Sequence, residues 1–375
     1  MLIKNYNNFT NPQSLLLKMI NSGIKEVLPK KLVEEQIKKI KINKFNNIYV
    51  IGFGKASSDM ASGLEKIIGD KITKGIVIDT VKKKLKKITV IKGTHPLPSQ
   101  TNVNATKKII QLVSSLSWDD LVICLVSGGG SSLLCYPKIS LKDYIKKNKQ
   151  LLHSGLSIQA VNKQRKKYSN VKGGKLAKII GTKPMIINLI LSDVIGDPLD
   201  VIASGPTISK QKNIMNVVIG NNTKALKAVH QKAIELRLKS KIYPKPLTRN
   251  VAIESLRISR ELRKLKKGQL IIFGGETTVV VKGRGKGGRN QELCLRLINK
   301  IKNKNIVFAA VATDGIDNTP VAGAIIDGNS YNTKFDINSY IKNNDSYSFF
   351  KKTKSHIITG KTGTNVCDIM VGFKY

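Results

Sequence analysis

Only nine of the chain's 65 lysines and arginines are arginine, and three of those nine, Arg165, Arg284 and Arg289, lie in or beside glycine-rich segments. A guanidinium offers a planar fork that donates bidentately to phosphate or carboxylate, which an ammonium cannot do. The densest such segment runs from Ile271 to Arg296. An apolar run enters Gly274-Gly275-Glu276 and a second β-branched run follows. Gly283, Gly285, Gly287 and Gly288 then sit among Arg284, Lys286 and Arg289, before Asn290-Gln291-Glu292 opens a helix. Glycines let backbone N–H groups meet a ligand closely, and a helix N-terminus adds partial positive charge. The segment reads as an anion-binding strand–loop–helix with a carboxylate beside it. The plain alternative is a glycine-rich surface hairpin with solvated charges.

Other strand ends carry related chemistry. IYVIGFGKAS ends in Gly52-Phe53-Gly54-Lys55, which suits a phosphate or carboxylate, although a lone GxGK also fits a tight turn and lacks the P-loop spacing. LVICLVSGGGSSLL delivers Ser127, Gly128, Gly129, Gly130 and Ser131. Consecutive glycines there make an anion nest, and the absence of GxSxG argues against serine hydrolysis. Asp193 directly follows an apolar run, where it can hold Mg²⁺ or accept a hydroxyl proton, while Asp197 and Asp200 suit turns. Asp314 and Asp317 in TDGIDN are metal or hydroxyl candidates, and an Asp-Gly turn explains them equally well. His95 in GTHPLPSQ suits a substrate contact or, more plainly, a structural hydrogen bond. Lys172-Gly173-Gly174-Lys175, after Arg165, opens another helix.

Such side chains need a scaffold of strands ending at one edge. Apolar runs predict strands at Asn47–Gly52, Gly75–Asp79, Ile88–Ile91, Leu121–Ser127 and Met185–Leu191. Helical patterns cover Pro12–Ser22, Lys30–Lys41, Ser57–Ile68, Thr101–Ser115, Gly174–Ile180, Thr223–Leu238 and Asn250–Lys266. The alternation predicts an α/β fold with a mainly parallel sheet covered on both faces. At 375 residues two domains are expected, a Rossmann-like three-layer αβα unit over 1–240 and a smaller α/β unit over 241–375.

The net charge of +41 invites a nucleic-acid reading. The lysines, however, are spread along the whole chain, and aromatics make up only 5%, so no stacking platform is evident. No specific nucleic-acid partner and no membrane partner are expected. The four cysteines are far apart and read as buried thiols of a reducing compartment. The N-terminus lacks a signal core and no run approaches membrane-spanning length, so a soluble cytoplasmic protein is expected.

As a set, IGFGKAS, GTHPLP, VSGGGSSLL, VNKQRKKYSNVKGGKLA, LSDVIGDPLDVIASGPT, FGGETTVVVKGRGKGGRNQEL, TDGIDNTPVAGAIID and TGTNVCDIMV resemble the class II glycerate 2-kinase family, whose C-terminal part is the MOFRL domain. The resemblance runs from about Ile48 to Phe373. It implies two α/β domains facing across a cleft, and phosphorylation of D-glycerate by ATP with a divalent metal, Mg²⁺, to give 2-phosphoglycerate. It also implies that Lys55, Asp193 and Arg289 lie in that cleft. On this reading Lys55 and Arg289 meet the transferring phosphate and the substrate carboxylate, and Asp193 orients or deprotonates the 2-hydroxyl. Ser127, Gly128, Gly129, Gly130 and Ser131, with Gly285, Gly287 and Gly288, hold nucleotide phosphates. Gly54, Arg165 and Asn290 bind substrate, and Glu276 and Asp314 bind metal. A homodimer is allowed. The chain departs from the family pattern at Asn318, where glycine is usual, and at Ser99, where aspartate is common. Two rivals stand beside this reading. One is a hydroxypyruvate reductase or glycerate dehydrogenase, and the other, suggested by charge alone, is a polyanion-binding protein.

Overall fold

The computed structural model describes residues 1–153, 158–331 and 334–375. The chain begins with helix α1 (Asn11–Glu26), which Thr10 and Gln13 open with a reciprocal capping box. It divides into two compact units. One comprises Pro29–Asn221, and the other comprises Met1–Leu28 together with Asn222–Tyr375. The position 240/241 expected as a domain boundary falls inside the second of these.

The Pro29–Asn221 unit runs α2 (Pro29–Ile37), β1 (Asn47–Phe53), α3 (Ser57–Ile68), β2 (Ile72–Asp79), β3 (Ile88–Lys92), α4 (Gln100–Val113) and β4 (Asp120–Val126). It continues with the single turn α5 (Gly130–Leu133), α6 (Leu141–His153), α7 (Ile158–Lys167), α8 (Lys175–Ile180), β5 (Met185–Leu191) and β6 (Ile214–Gly220). Its six strands pair in the order β3-β2-β1-β4-β5-β6, all parallel. β4 is buried at every position, as a central strand covered on both faces must be. The strand order reverses direction between β1 and β4, and open α/β sheets bind ligands outside the carboxyl ends of the strands at such a point. Ser99 caps α4 together with Asn102. Serine is among the residues that cap helices best.

The second unit adds α9 (Asn222–Glu235), β7 (Lys239–Ile242), α10 (Val251–Arg263), β8 (Gln269–Gly275), α11 (Arg289–Ile301), β9 (Ile306–Ala312) and β10 (Gly323–Asp327). It ends with α12 (Ile337–Lys342), α13 (Ser346–Lys352), β11 (His356–Ile357) and β12 (Asp368–Lys374). The sheet order is β11-β10-β9-β12-β8-β7; among the described residues only β7 and β8 are parallel neighbours. Phe273, Phe308, Leu293, Leu297 and Ile298 fill one of its cores.

Candidate active site

The ends of β1, β4 and β5 bring Gly54, Lys55, the Ser127–Ser131 turn and Asp193 together at the reversal of strand order. Gly54 has φ +132°, and a Cβ there would lie 2.5 Å from the Ser127 carbonyl oxygen. Only glycine lets the two turns touch. The Lys55 N–H donates to the Gly128 carbonyl at 2.8 Å, and Ser127 Oγ accepts from the Ala56 N–H at 3.1 Å. Asp193 leans on the next residue: a Cβ on Gly128 would lie 2.5 Å from Asp193 Cγ. Gly129, at φ +80°, faces His95 and the Lys55 stem, each 3.0 Å from where a Cβ would stand. Neither the Gly128 N–H nor the Gly129 N–H has an acceptor among the described residues. Burial pushes the Asp193 carboxyl above the ordinary aspartate range, and the charge of Lys55 draws it part of the way back.

The turn is held from behind. Ser131 Oγ and Ser204 Oγ are 2.8 Å apart, and Ser204 Oγ donates to Asn162 Oδ1 at 3.3 Å. Ala203 and Ser204 are both left-handed, at φ +51° and +65°, and both are buried. Such geometry in non-glycine residues persists only when the surroundings impose it. Neither Asn162 nor Ser204 was singled out from the sequence, which shows no sign of a buried hydroxyl's partner. Arg165 Nε donates to Asn148 Oδ1 at 3.1 Å. The Gly173 and Gly174 N–H groups donate to the carbonyls of Ser204 and Gly205, so that third turn is internally satisfied.

The loop in the second unit behaves differently from the sequence expectation. The N–H groups of Lys282 and Gly283 donate to Asn344 Oδ1, that of Arg284 to Asn343 Oδ1, that of Gly285 to the Asn343 carbonyl, and that of Lys286 to Asp345 Oδ1. The glycines admit this neighbouring turn: a Cβ on Gly285 would lie 2.6 Å from the Asn343 oxygen. The Gly285 N–H expected to hold phosphate is therefore occupied, while those of Gly287 and Gly288 have no acceptor among the described residues. The start of α11 already carries an anion. Asp317 Oδ1 accepts from the Asn290 N–H at 3.1 Å and Oδ2 from the Gln291 N–H at 2.9 Å. Burial pushes the Asp317 carboxyl up to about 6, against the pull of its bonds from Gln291 and Asn290. Asn290 donates to that carboxylate through its side chain as well.

Arg289 is also engaged. Its Nε and Nη2 bond Asp368 at 2.8 and 3.2 Å, and Nη1 meets Glu276 Oε1 at 3.0 Å. Burial opposes its charge, but the bonds and charge of Asp368, then Glu276, outweigh that and raise its pKa. Glu276 Oε2 accepts from Cys367 Sγ at 3.7 Å. Asp314, the other expected metal ligand, accepts from the Ile316 N–H at 3.0 Å in its own turn. Among the described residues no group of three or more His, Cys, Asp or Glu side chains is placed to hold a metal. Asn318, at φ +54°, adopts the left-handed conformation that glycine takes freely and asparagine tolerates.

Asp79, at the end of β2, stands where a dinucleotide fold carries its ribose-binding acid. It is fully buried, and its oxygens accept from the Ser58 N–H at 2.9 Å and the Thr80 N–H at 2.5 Å.

Two family models match the chain: a domain of unknown function, DUF4147, over residues 15–239, and the MOFRL family over residues 269–368. D-glycerate 2-kinase of Thermotoga maritima is 33% identical, covering 96% of this chain and 98% of its own. The chain belongs to the glycerate 2-kinase family with a MOFRL domain. Glycerate 2-kinase of Picrophilus torridus is 34% identical over the full length of both chains. The crystal structure of glycerate kinase from Thermotoga maritima superposes with a TM-score of 0.90 over 97% of this chain and 99% of that one. Membership of the glycerate 2-kinase family agrees with the α/β architecture expected from the sequence.

Proposed function

We propose that this chain transfers the γ-phosphoryl group of ATP to the 2-hydroxyl of D-glycerate, with the reacting groups at the carboxyl ends of β1, β4 and β5. The full-length relatives named as glycerate 2-kinases support the reaction. The observation that carries the site is the Asp193 carboxylate lying against Gly128, beside Lys55 and next to two N–H groups without an acceptor among the described residues. Phosphoryl transfer needs a positioned acceptor and neutralised phosphate charge rather than a covalent protein intermediate. Asp193, with its raised pKa, accepts the 2-hydroxyl proton as that oxygen bonds to the γ-phosphorus and the bond to ADP breaks. Gly128 and Gly129 hold a phosphate oxygen through their N–H groups, and the Lys55 ammonium offsets its charge. Arg289, fixed by Asp368 and Glu276, is an ordered donor on its own unit rather than a loose charge.

The donor set fits Mg²⁺ only in part. Glu276 has both oxygens engaged, whereas Asp314 keeps one without a partner among the described residues. Mg²⁺ commonly takes one or two carboxylates plus substrate phosphates, so a metal arriving with ATP requires no preformed cluster. Bound in that way it would neutralise charge on the β- and γ-phosphates. The cysteines are free and buried, as suits a reducing cytoplasm.

The strand order favours a second reading, since β3-β2-β1-β4-β5-β6 is also the order of dinucleotide-binding sheets. The engagement of both Asp79 oxygens weighs against it. Incubation with D-glycerate, ATP and Mg²⁺, followed by ³¹P NMR, tests the proposal: 2-phosphoglycerate is expected. 3-Phosphoglycerate would overturn the assigned position. Oxidation of NAD(P)H by hydroxypyruvate without phosphorylation would move the chain to the reductases.

A further inference from the structure

We infer that His95 is a ligand for the oxyanion bound over Gly129, completing a cradle whose other donors are the Gly128 and Gly129 N–H groups and the Lys55 ammonium. This rests on the phosphotransfer reading for its catalytic consequence, though not for its geometry. His95 stands in the loop after β3, and that loop is stapled to the glycine turn by one fully buried side chain. Asn102 Oδ1 accepts from the Thr94 N–H at 2.9 Å, and its Nδ2 donates to the carbonyls of Thr94 at 3.0 Å and Ser132 at 2.9 Å. A loop residue fixed against a binding turn by a buried amide is pre-organised, so little ordering cost remains when a ligand arrives.

The ring faces the turn: its Cδ2 and Nε2 lie 3.0 and 3.2 Å from where a Cβ of Gly129 would stand. His95 is exposed, so its ring is open to a ligand, and a structural role would show as an internal hydrogen bond. Among the described residues the ring has none, unlike His230, which meets Ser240 Oγ at 2.6 Å. Partial burial, then the Lys55 charge, hold the ring below the ordinary histidine value, so at neutral pH it offers one N–H donor and one acceptor. Nε2–H on the side of Gly129 would add a third neutral donor beside the two amides. An added side chain at Gly129 would crowd both the ring and the Lys55 stem, so the two border the same face of the turn.

The oxyanion can come from the nucleotide phosphates or from the glycerate carboxylate, and the test separates them. With four histidines in the chain, the ring resonances of the full-length protein can be resolved by NMR and His95 assigned with His95→Gln. Titration with ATP in one arm and with D-glycerate in the other should shift the His95 ring signals with one ligand and leave the other histidines largely unmoved. His95→Ala should raise KM for that same ligand by roughly ten-fold or more, as expected for a lost hydrogen bond to a charged group. Its thermal midpoint should stay near that of the wild type, and His95→Gln, which retains a donor, should recover much of the loss. Absence of a shift with either ligand while the protein turns over would overturn the assignment. So would a lowered midpoint in His95→Ala that accounts for its loss of activity. A His95 shift with ATP in a protein that never phosphorylates glycerate would uphold the ligand role and remove the kinase reading instead.

Discussion

Gly128→Ala is the sharpest probe of the arrangement around Asp193. Gly128 does not have a left-handed φ, so alanine can adopt its backbone conformation without strain. The added methyl group, however, would stand 2.5 Å from Asp193 Cγ, and ordinary van der Waals contact begins at 3.4 Å. The carboxyl group must retreat by at least about 0.9 Å, because Oδ2 would stand closer still than Cγ. A misplacement of about 1 Å at a reacting group can cost on the order of 10²-fold in rate, equivalent to roughly 2.7 kcal/mol of barrier. The expected result is a kcat about 10²-fold below wild type under saturating ATP and D-glycerate, followed by ADP release. The thermal midpoint should fall by no more than a few degrees. Because the methyl group acts through Asp193, Gly128→Ala should add little further loss to Asp193→Asn. A variant within three-fold of wild-type kcat would refute the placement of Asp193 as the proton acceptor.

Three other outcomes follow from the charges. Lys55→Ala should lower kcat by roughly 10²–10³-fold. Because Lys55 draws the Asp193 carboxyl down, its removal should also move the acid limb of the residual pH–rate profile upward; an unmoved limb would separate the two residues. Arg289→Lys keeps the charge but loses the fork on Asp368, whose side chain is only 1% exposed. A loss of roughly 2–3 kcal/mol in chemical denaturation is expected, at the low end for a broken buried pair because Arg289 is a third exposed. Asp317 has a folded-state pKa of about 6, above its unfolded value, so its favourable contribution is complete at low pH and is lost as pH rises to about 6. The stability of wild type relative to Asp317→Asn should therefore fall by roughly 3 kcal/mol between about pH 4 and pH 7, and a pH-independent difference would contradict the burial of that charge.

The strands that position the site were legible because central parallel strands must be apolar throughout. Asn47–Gly52, Leu121–Ser127 and Met185–Leu191 all fall within a residue of their observed ends. The edge strand Ile214–Gly220 lacks that signature, with exposed positions among its apolar ones, and was not recognised, although the opposite edge, Ile88–Lys92, was. Glycine proved ambiguous for a physical reason. It marks where something approaches the backbone closely, but not whether that is a ligand, as Gly128 and Gly129 allow, or another stretch of chain, as at Gly285. The partners of Arg289 and α11 were hidden by distance. Asp368 lies 79 residues beyond Arg289, and Asp317 lies 27 beyond Asn290; only the paired sheet brings them back.

Helix α1 packs on α9, β9 and β12, so the core that this helix enters is completed by a strand translated long after it. At about 5–20 residues per second, α1 waits on the order of 20–70 seconds for β12 to be translated. The intervening Pro29–Asn221 segment has its own parallel sheet and can close during that interval. In the meantime Leu16, Leu17, Met19, Ile20 and Ile24, all fully buried in the finished protein, have no completed core to enter. Nascent chains of this protein should therefore present a sticky α1 to chaperones until β12 has been made, and any stall before Asp368 should leave it exposed.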